Sequence, residues 1–387
     1  MTPGPMTPAS HDDASRLDFV EGVRAFNYRH IVKPLVDDYG RRVDERKRAG
    51  LGEPVTKEEA GSLYISDPSY LFSCALQRSM QRLGWSTASE GAHREAASLS
   101  MELRASQSTS VHSELILDSQ LQMPDWYTSA HFSGRDYIHL VEGGYWADEL
   151  VGPFYERGGA AYRLAWRGGY DAAGPGALEI FARSAPPGRY DKVLDLGCSF
   201  GGLTRVLRSV FPTSEVIGID ISLPALTYAH YLAERDGQRI SYQQRDASAT
   251  GFDAESFDLV TAFLLLHEVP DDVRASIVAE AFRILRPGGT LMFLDIPPYS
   301  ALTPVQAWFE SFDGRGNGEC FWEEFLVSDF PALMRSAGFE ELSEGPLDYE
   351  EKSYWGSSAL WRTGEFDPVH RWVTRAVKPS LVAAGSL

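Results

Sequence analysis

At 387 residues the chain is too long for one minimal catalytic domain, and 43% hydrophobic residues supply material for well-packed cores. A net charge of −18 argues against a nucleic-acid partner, since phosphate contacts need a basic surface. The three cysteines, Cys74, Cys198 and Cys320, are spaced for neither a disulfide framework nor a zinc site, and no metal-ligand set is read elsewhere. There is no N-terminal apolar stretch and no membrane-length apolar run, so a cytoplasmic chain without a membrane span is expected.

Residues 1–15, rich in Pro, Thr, Ser and Asp, have the composition of a disordered tail. From Leu17 to Tyr39 the positions of Phe19, Val20, Val23, Phe26, Ile31, Val32, Leu35 and Val36 predict helix, with a break at Pro34. The charges of Arg41–Arg48 read as a solvated face. Asp67 and Pro68 suit the N-cap and first turn of a helix through Leu71, Leu76 and Met80 to Leu83. Residues 93–104 also read as helix. Residues 16–154 therefore form a mostly helical region, a cap over a substrate or a dimerisation element. Within it, Trp126, Tyr127, Tyr137, Tyr145 and Trp146 crowd around His139 and the pair Gly143-Gly144. Such a segment packs domains together or closes over a site as a lid.

The stretch Val193-Leu194-Asp195-Leu196-Gly197-Cys198-Ser199-Phe200-Gly201-Gly202 organises the rest. Apolar positions 203, 206, 207, 210 and 211 follow at helical spacing, and Pro212 ends the run. Strand, glycine loop, helix is the reading, and such a loop lets a ligand approach the backbone. Asp195 just before the loop would repel a pyrophosphate and suit a cation. Val216–Asp220 is a β-branched strand ending in an acid placed to accept from ribose hydroxyls. Ser222 is a helix N-cap, the helical pattern runs to Leu232, and Gly237 ends it. Ile240–Asp246 reads as a third strand, followed by a short crossover. Phe257–Leu266 is a strand buried on both faces, Val273–Leu285 a helix, and Thr290–Asp295 a fifth strand after the turn Pro287-Gly288-Gly289. Residues 296–324 carry Trp308, Phe309, Phe312, Phe321 and Trp322 at the carboxyl end of the strands, where they form acceptor-pocket walls or a solvent loop. Residues 325–337 are helical, and Phe339–Ser343 with Ser357–Arg362 would close the sheet as an antiparallel pair.

Piece by piece this resembles the class I S-adenosylmethionine-dependent methyltransferases. Asp195-Leu196-Gly197 looks like their motif I, Gly218-Ile219-Asp220 like the ribose-binding acid, and Asp246-Ala247 like the adenine-contacting pair. Leu266-His267-Glu268 looks like the tip of strand four, Arg286–Gly289 like the turn before strand five, and Ala337-Gly338-Phe339 like the end of the last helix. Ser199 departs from the pattern by replacing the middle glycine. The resemblance implies an α/β fold, a Rossmann-like doubly wound seven-stranded sheet over residues 155–365, with 366–387 as a tail. It implies S-adenosylmethionine as cofactor, held by Asp195, Gly197, Ser199, Gly201, Asp220, Ile221, Asp246, Ala247 and Phe263. The Asp136-x-x-His139…Gly143-Gly144-Tyr145 pattern is also similar to a subgroup of small-molecule carboxyl methyltransferases, though Glu142 stands where proline is expected.

Methyl transfer needs alignment and exclusion of water, and needs a base only when the acceptor carries a proton. His267 and His139 are the candidate catalytic residues; Tyr145, Trp308, Phe312 and Trp322 are the candidate acceptor contacts. The expected partner is a small-molecule acceptor, through a carboxylate or hydroxyl oxygen of a secondary metabolite, with no nucleic acid, no membrane, and homodimerisation left open. A carboxylate acceptor, already ionised, would leave His267→Gln partly active. Alternatives are a non-methylating cyclase or isomerase on the same fold, or a cofactor-binding regulator without catalysis.

Overall fold

The computed structural model describes residues 10–131, 137–161, 177–347 and 371–380. Its first region is helical: α1 (His11–Asn27), a π-helical turn (Tyr28–Val32), α2 (Lys33–Asp37), α3 (Tyr39–Arg48), α4 (Lys57–Gly61), α5 (Pro68–Arg94) and α6 (Ala96–Ser108). Strand β1 (Glu114–Ile116) and helices α7 (Asp125–His131) and α8 (Val151–Ala161) follow. After α9 (Ala177–Arg183) the chain alternates: β2 (Lys192–Leu196), α10 (Gly202–Val210), β3 (Glu215–Asp220), α11 (Leu223–Arg235), β4 (Ser241–Gln244), β5 (Phe257–Phe263), α12 (Asp271–Ile284), β6 (Leu285–Asp295). It ends with α13 (Pro304–Asn317), α14 (Trp322–Val327), α15 (Phe330–Ala337), β7 (Glu340–Pro346) and β8 (Trp372–Val377).

The strands form one sheet in the order β1-β4-β3-β2-β5-β6-β8-β7. Pairs among β1 to β6 are parallel, and β8 runs antiparallel to both β6 and β7. The chain winds outward from β2 through β3 to β4, then returns to β5 on the other side of β2. That reversal opens a crevice at the carboxyl ends of β2 and β5. The Rossmann-like α/β architecture expected from sequence is therefore present, with two corrections. The sheet has eight strands and not seven, because Glu114–Ile116 of the front region pairs with β4 at one edge. The partner of β7 is Trp372–Val377, in the segment expected to be a tail; residues 357–362, expected as that strand, lie outside the described residues. No helix lies between β4 and β5.

Alternate residues of the central strands bury on opposite faces, which is why these strands read as unbroken apolar runs. Leu194, Leu196, Ile217, Ile219, Val260 and Phe293 face α12, α14 and α15. Val193, Val216, Leu259 and Met292 face α9 and α10, whose Leu203, Val206 and Leu207 complete that layer. A third cluster joins the two regions: Trp85, Phe154 and Tyr155 from the front pack with Phe200, Tyr228 and Leu232 from the sheet domain. The front region is thus built into the core of the sheet domain.

Pro34 does not end the first helical run. The π-helical turn before it absorbs the missing N–H, and the chain stays helical through Asp37. Asp67 caps α5 as expected, accepting from the Ser69 N–H at 2.8 Å, but α5 continues to Arg94. Among the described residues no helix is long and apolar enough to cross a membrane.

The packing of α8 on α5 leads to a prediction of sign. A Cβ at Gly158 would lie 2.0 Å from the buried Trp85 ring, whereas one at exposed Gly22 in α1 would meet nothing within 4 Å. In urea denaturation Gly158→Ala should lose about 1–3 kcal/mol through overpacking, while Gly22→Ala should gain about 0.4–1 kcal/mol from reduced unfolded-state entropy.

Candidate active site

The loop between β2 and α10 explains its own composition. Gly197, Ser199 and Gly201 have φ of +61°, +48° and +78°, so every second residue is left-handed. Cβ atoms at Gly197 and Gly201 would come 2.6 Å from Leu265 and 2.4 Å from the Tyr242 hydroxyl. Ser199 adopts by strain what glycine adopts freely, at a cost of roughly 1–2 kcal/mol. Asp195 beneath the loop is buried, accepting from Thr204 Oγ1 at 2.6 Å and Thr261 Oγ1 at 3.4 Å. Burial pushes its carboxyl up to about 7. It braces α10 and presents only an edge to solvent. At the end of β3, Asp220 accepts the N–H of Ser199 and the N–H of Ser222, each at 2.8 Å, so one carboxylate ties the loop to the start of α11. Burial raises its pKa against the pull of those donors.

Above these residues lies a cavity of about 250 Å³. That is on the order of twenty times what one trapped water needs, so it is a binding space and not a packing defect. Asp195, Gly197, Ser199, Asp220, Ile221, Asp246, Ala247 and Phe263 all border it. Gly201 does not; it packs behind the loop, and its neighbour Gly202 takes the lining position.

The opposite wall is aromatic and comes from the front region. Trp85, Trp126, Tyr127, His139, Tyr145 and Tyr155 line it. Tyr127 donates to the Gly143 carbonyl at 3.1 Å and accepts from the Tyr145 N–H at 2.6 Å. Tyr145 stacks on Tyr155 with ring centroids 4.2 Å apart, and His139 lies 4.5 Å from the Trp85 ring. His139 itself is left-handed at φ +50°, as is Leu264 across the cavity at +53°. Strained backbone thus gathers at this cavity, as it does at functional sites.

The inner end of the cavity is charged. His267, in the loop after β5, is buried, with Nδ1 2.5 Å from Asp295 Oδ1 at the end of β6. Its Nε2 lies 3.6 Å from Glu268 Oε1 and 3.6 Å from Glu319 Oε2. His139 Nε2 is 3.6 Å from Glu319 Oε1. Burial disfavours the charged imidazole of His267, but Asp295 and then Glu268 and Glu319 outweigh it and lift its pKa to about 9. Burial raises Glu268, opposed by His267 and His139. Asp295 also accepts the N–H groups of Leu266 at 3.0 Å and Ile296 at 2.8 Å. The buried Arg274 donates to the carbonyls of Leu266 at 3.0 Å and Val269 at 2.8 Å, fixing the loop on both sides of His267.

Both histidines and Tyr145 are therefore at the site, and Trp322 meets His267 edge-on with centroids 5.1 Å apart. Trp308 and Phe312 are not. Both belong to α13; Trp308 faces Tyr70 and the α4 backbone at Gly61, and Phe312 is half-buried away from the cavity. Asp295 and Glu319 were not read as site residues from sequence. Asp295 had a signal, an acid at the carboxyl end of a buried strand; Glu319 had none.

A family described as "Methyltransferase domain" matches residues 193–289. Among curated proteins, a demethylmenaquinone methyltransferase of Thermus thermophilus is 33% identical over 32% of this chain and 53% of its own. A 2-phytyl-1,4-naphtoquinone methyltransferase of Thermosynechococcus vestitus is 32% identical over 40% of this chain and 74% of its own. The chain belongs to the class I S-adenosylmethionine-dependent methyltransferases. A ubiquinone biosynthesis O-methyltransferase of Hahella chejuensis is 31% identical over 42% of this chain and 67% of its own. The chain spans about half the length of the first of these relatives. The donor set of this methyltransferase fits the cofactor. Three carboxyls, Asp195, Asp220 and Asp246, border the crevice beside backbone N–H groups, which suits a sulfonium, an ammonium and ribose hydroxyls.

The position of Trp308 is testable. Trp308→Ala should lower unfolding free energy by about 3 kcal/mol yet leave S-adenosylmethionine affinity within twofold by calorimetry. A large loss of affinity at unchanged stability would return Trp308 to the site.

Proposed function

We propose that this methyltransferase moves a methyl group to a hydroxyl oxygen of a small aromatic secondary metabolite, in the cytoplasm. The observation that carries the reading is the His267–Asp295 pair, buried at the inner end of an aromatic cavity that also borders the cofactor loop. When bound, S-adenosylmethionine supplies an electrophilic methyl on a sulfonium. Asp220 would accept from the ribose hydroxyls, and Asp246 with Ala247 would meet the adenine. Trp85, Trp126, Tyr127, Tyr145, Tyr155 and Trp322 would hold a flat acceptor and exclude water. His267, oriented through Nδ1 by Asp295, would take the proton of the acceptor oxygen at Nε2 in its neutral form, which its raised pKa of about 9 makes the minor form at neutral pH.

The carboxylate acceptor expected from sequence is the less favoured oxygen. Brought to this end of the cavity it would meet Glu268 and Glu319, both buried, and the repulsion would be poorly screened. The relatives' names support a ring-shaped acceptor: each of the three names a quinone, and one of them names O-methylation.

Two variants test the reading separately. Asp220→Ala removes a charged acceptor worth about 1.5–3 kcal/mol per ribose hydrogen bond, so calorimetry should find S-adenosylmethionine bound at least tenfold more weakly. His267→Gln should keep that affinity and lose more than about a hundredfold in turnover of labelled methyl groups. Near-normal turnover in folded His267→Gln would favour the carboxylate acceptor instead.

A further inference from the structure

We propose that His267, Glu268 and Glu319 form a binding site for one divalent first-row transition-metal ion at the inner end of the cavity. The inference rests on the hydroxyl-acceptor reading only for its use; the site itself is argued from geometry.

One ligand atom from each of the three residues lies within 4.8 Å of the other two, and all three side chains are buried. The arrangement is not a closed ion pair. Charge-assisted N–H···O contacts close to about 2.7–2.9 Å, whereas His267 Nε2 stands 3.6 Å from both carboxylates. Glu319 Oε2 has no hydrogen-bond partner, although its side chain is 4% exposed. A buried, unpartnered carboxylate oxygen aimed at an imidazole nitrogen is costly unless something sits between them. Donors around an ion with bonds of about 2.0–2.2 Å stand roughly 3–3.5 Å apart, and small rotations of the two carboxylates reach that spacing.

The surroundings are those of a metal-ligating histidine. Nδ1 of His267 is hydrogen-bonded to the Asp295 carboxylate, which orients the ring with Nε2 toward Glu268 and Glu319; an ion bound there would displace the Nε2 proton. Tyr145 Oη donates to Glu268 Oε1 at 3.2 Å, so that carboxylate is held from outside, and His139 Nε2 stands 3.6 Å from Glu319 Oε1. Three acids, Asp295, Glu268 and Glu319, face two imidazoles here, and a dication offsets the surplus negative charge. One imidazole nitrogen with two carboxylates suits zinc, manganese, iron or cobalt ahead of calcium or magnesium, which favour all-oxygen ligand sets. The side of the cluster open to the cavity is where an acceptor oxygen or a water would complete the coordination; with an ion bound, Nε2 is a ligand and no longer a proton acceptor, and the ion itself would acidify the acceptor hydroxyl.

The test uses the full chain, stripped with a chelator, without S-adenosylmethionine or acceptor. Titration with zinc should give one saturable site per chain by calorimetry, and cobalt should develop visible d–d absorption at the same stoichiometry. Glu319→Gln and Glu268→Gln should each weaken zinc binding at least about tenfold with near-ultraviolet dichroism unchanged. His93→Gln, which breaks an exposed pair with Asp148, should leave it unchanged and so controls for adsorption to an acidic surface. Absence of a one-equivalent site in the wild-type chain, or equal affinity in both glutamine variants, overturns the proposal. The readout is separate from catalysis. Zinc bound as expected by a chain that transfers no methyl to a hydroxyl would sink only the acceptor reading, and turnover with no ion site would sink only this one.

Discussion

The Asp220 carboxylate holds this site together. One oxygen takes the N–H of Ser199 in the loop after β2, and the other takes the N–H of Ser222 at the start of α11. Ser222 then does two things with one hydroxyl. It accepts from Ala225 N at 3.2 Å as the helix cap and donates to the Tyr145 carbonyl at 2.5 Å. Tyr145 in turn donates to Glu268 beside His267. A continuous line of hydrogen bonds thus runs from the glycine loop, through the end of β3, across the aromatic wall, to the acid cluster. Each link is partly or wholly out of water, where a broken hydrogen bond leaves a polar group uncompensated.

This line also explains why the front region is not an appendage. Tyr145, whose N–H Tyr127 of α7 accepts, packs against a cluster in which Trp85, Phe154 and Tyr155 of the front region meet Phe200 and Tyr228 of the sheet domain. Strand β1 adds three residues to the sheet edge next to β4. A fragment beginning near residue 155 would expose the faces of α11 and β4 that these elements cover.

Much of the sheet was legible because it is repetitive. Apolar runs at Val193, Val216, Phe257 and Leu291 are buried on both faces, and the glycines at 197 and 201 stand where the backbone must be left-handed. Asp220 and His267 stood out because each ends or follows such a run, Asp195 because it interrupts one just before the glycine loop, and Asp246 through the family resemblance; all four border the cavity. What stayed hidden depends on contacts distant in the chain. The short edge strand at Glu114–Ile116 has a mixed pattern with no period of its own. Trp308 and Trp322 lie on neighbouring helices and look alike in sequence, yet one packs under α4 and the other on His267. Glu319 follows a glycine-rich stretch and gains its meaning only when the chain after α13 brings it near His267, 52 positions earlier in the loop after β5.

The central claim is that sheet loop and aromatic wall form one enclosed site. Amide hydrogen exchange of the whole chain with and without S-adenosylhomocysteine tests it most directly. The account predicts that ligand slows exchange at residues 197–202 and 220–222 and, together with them, at 138–146 and 266–268. Slowing confined to the two sheet loops, with the aromatic wall exchanging as before, would contradict it.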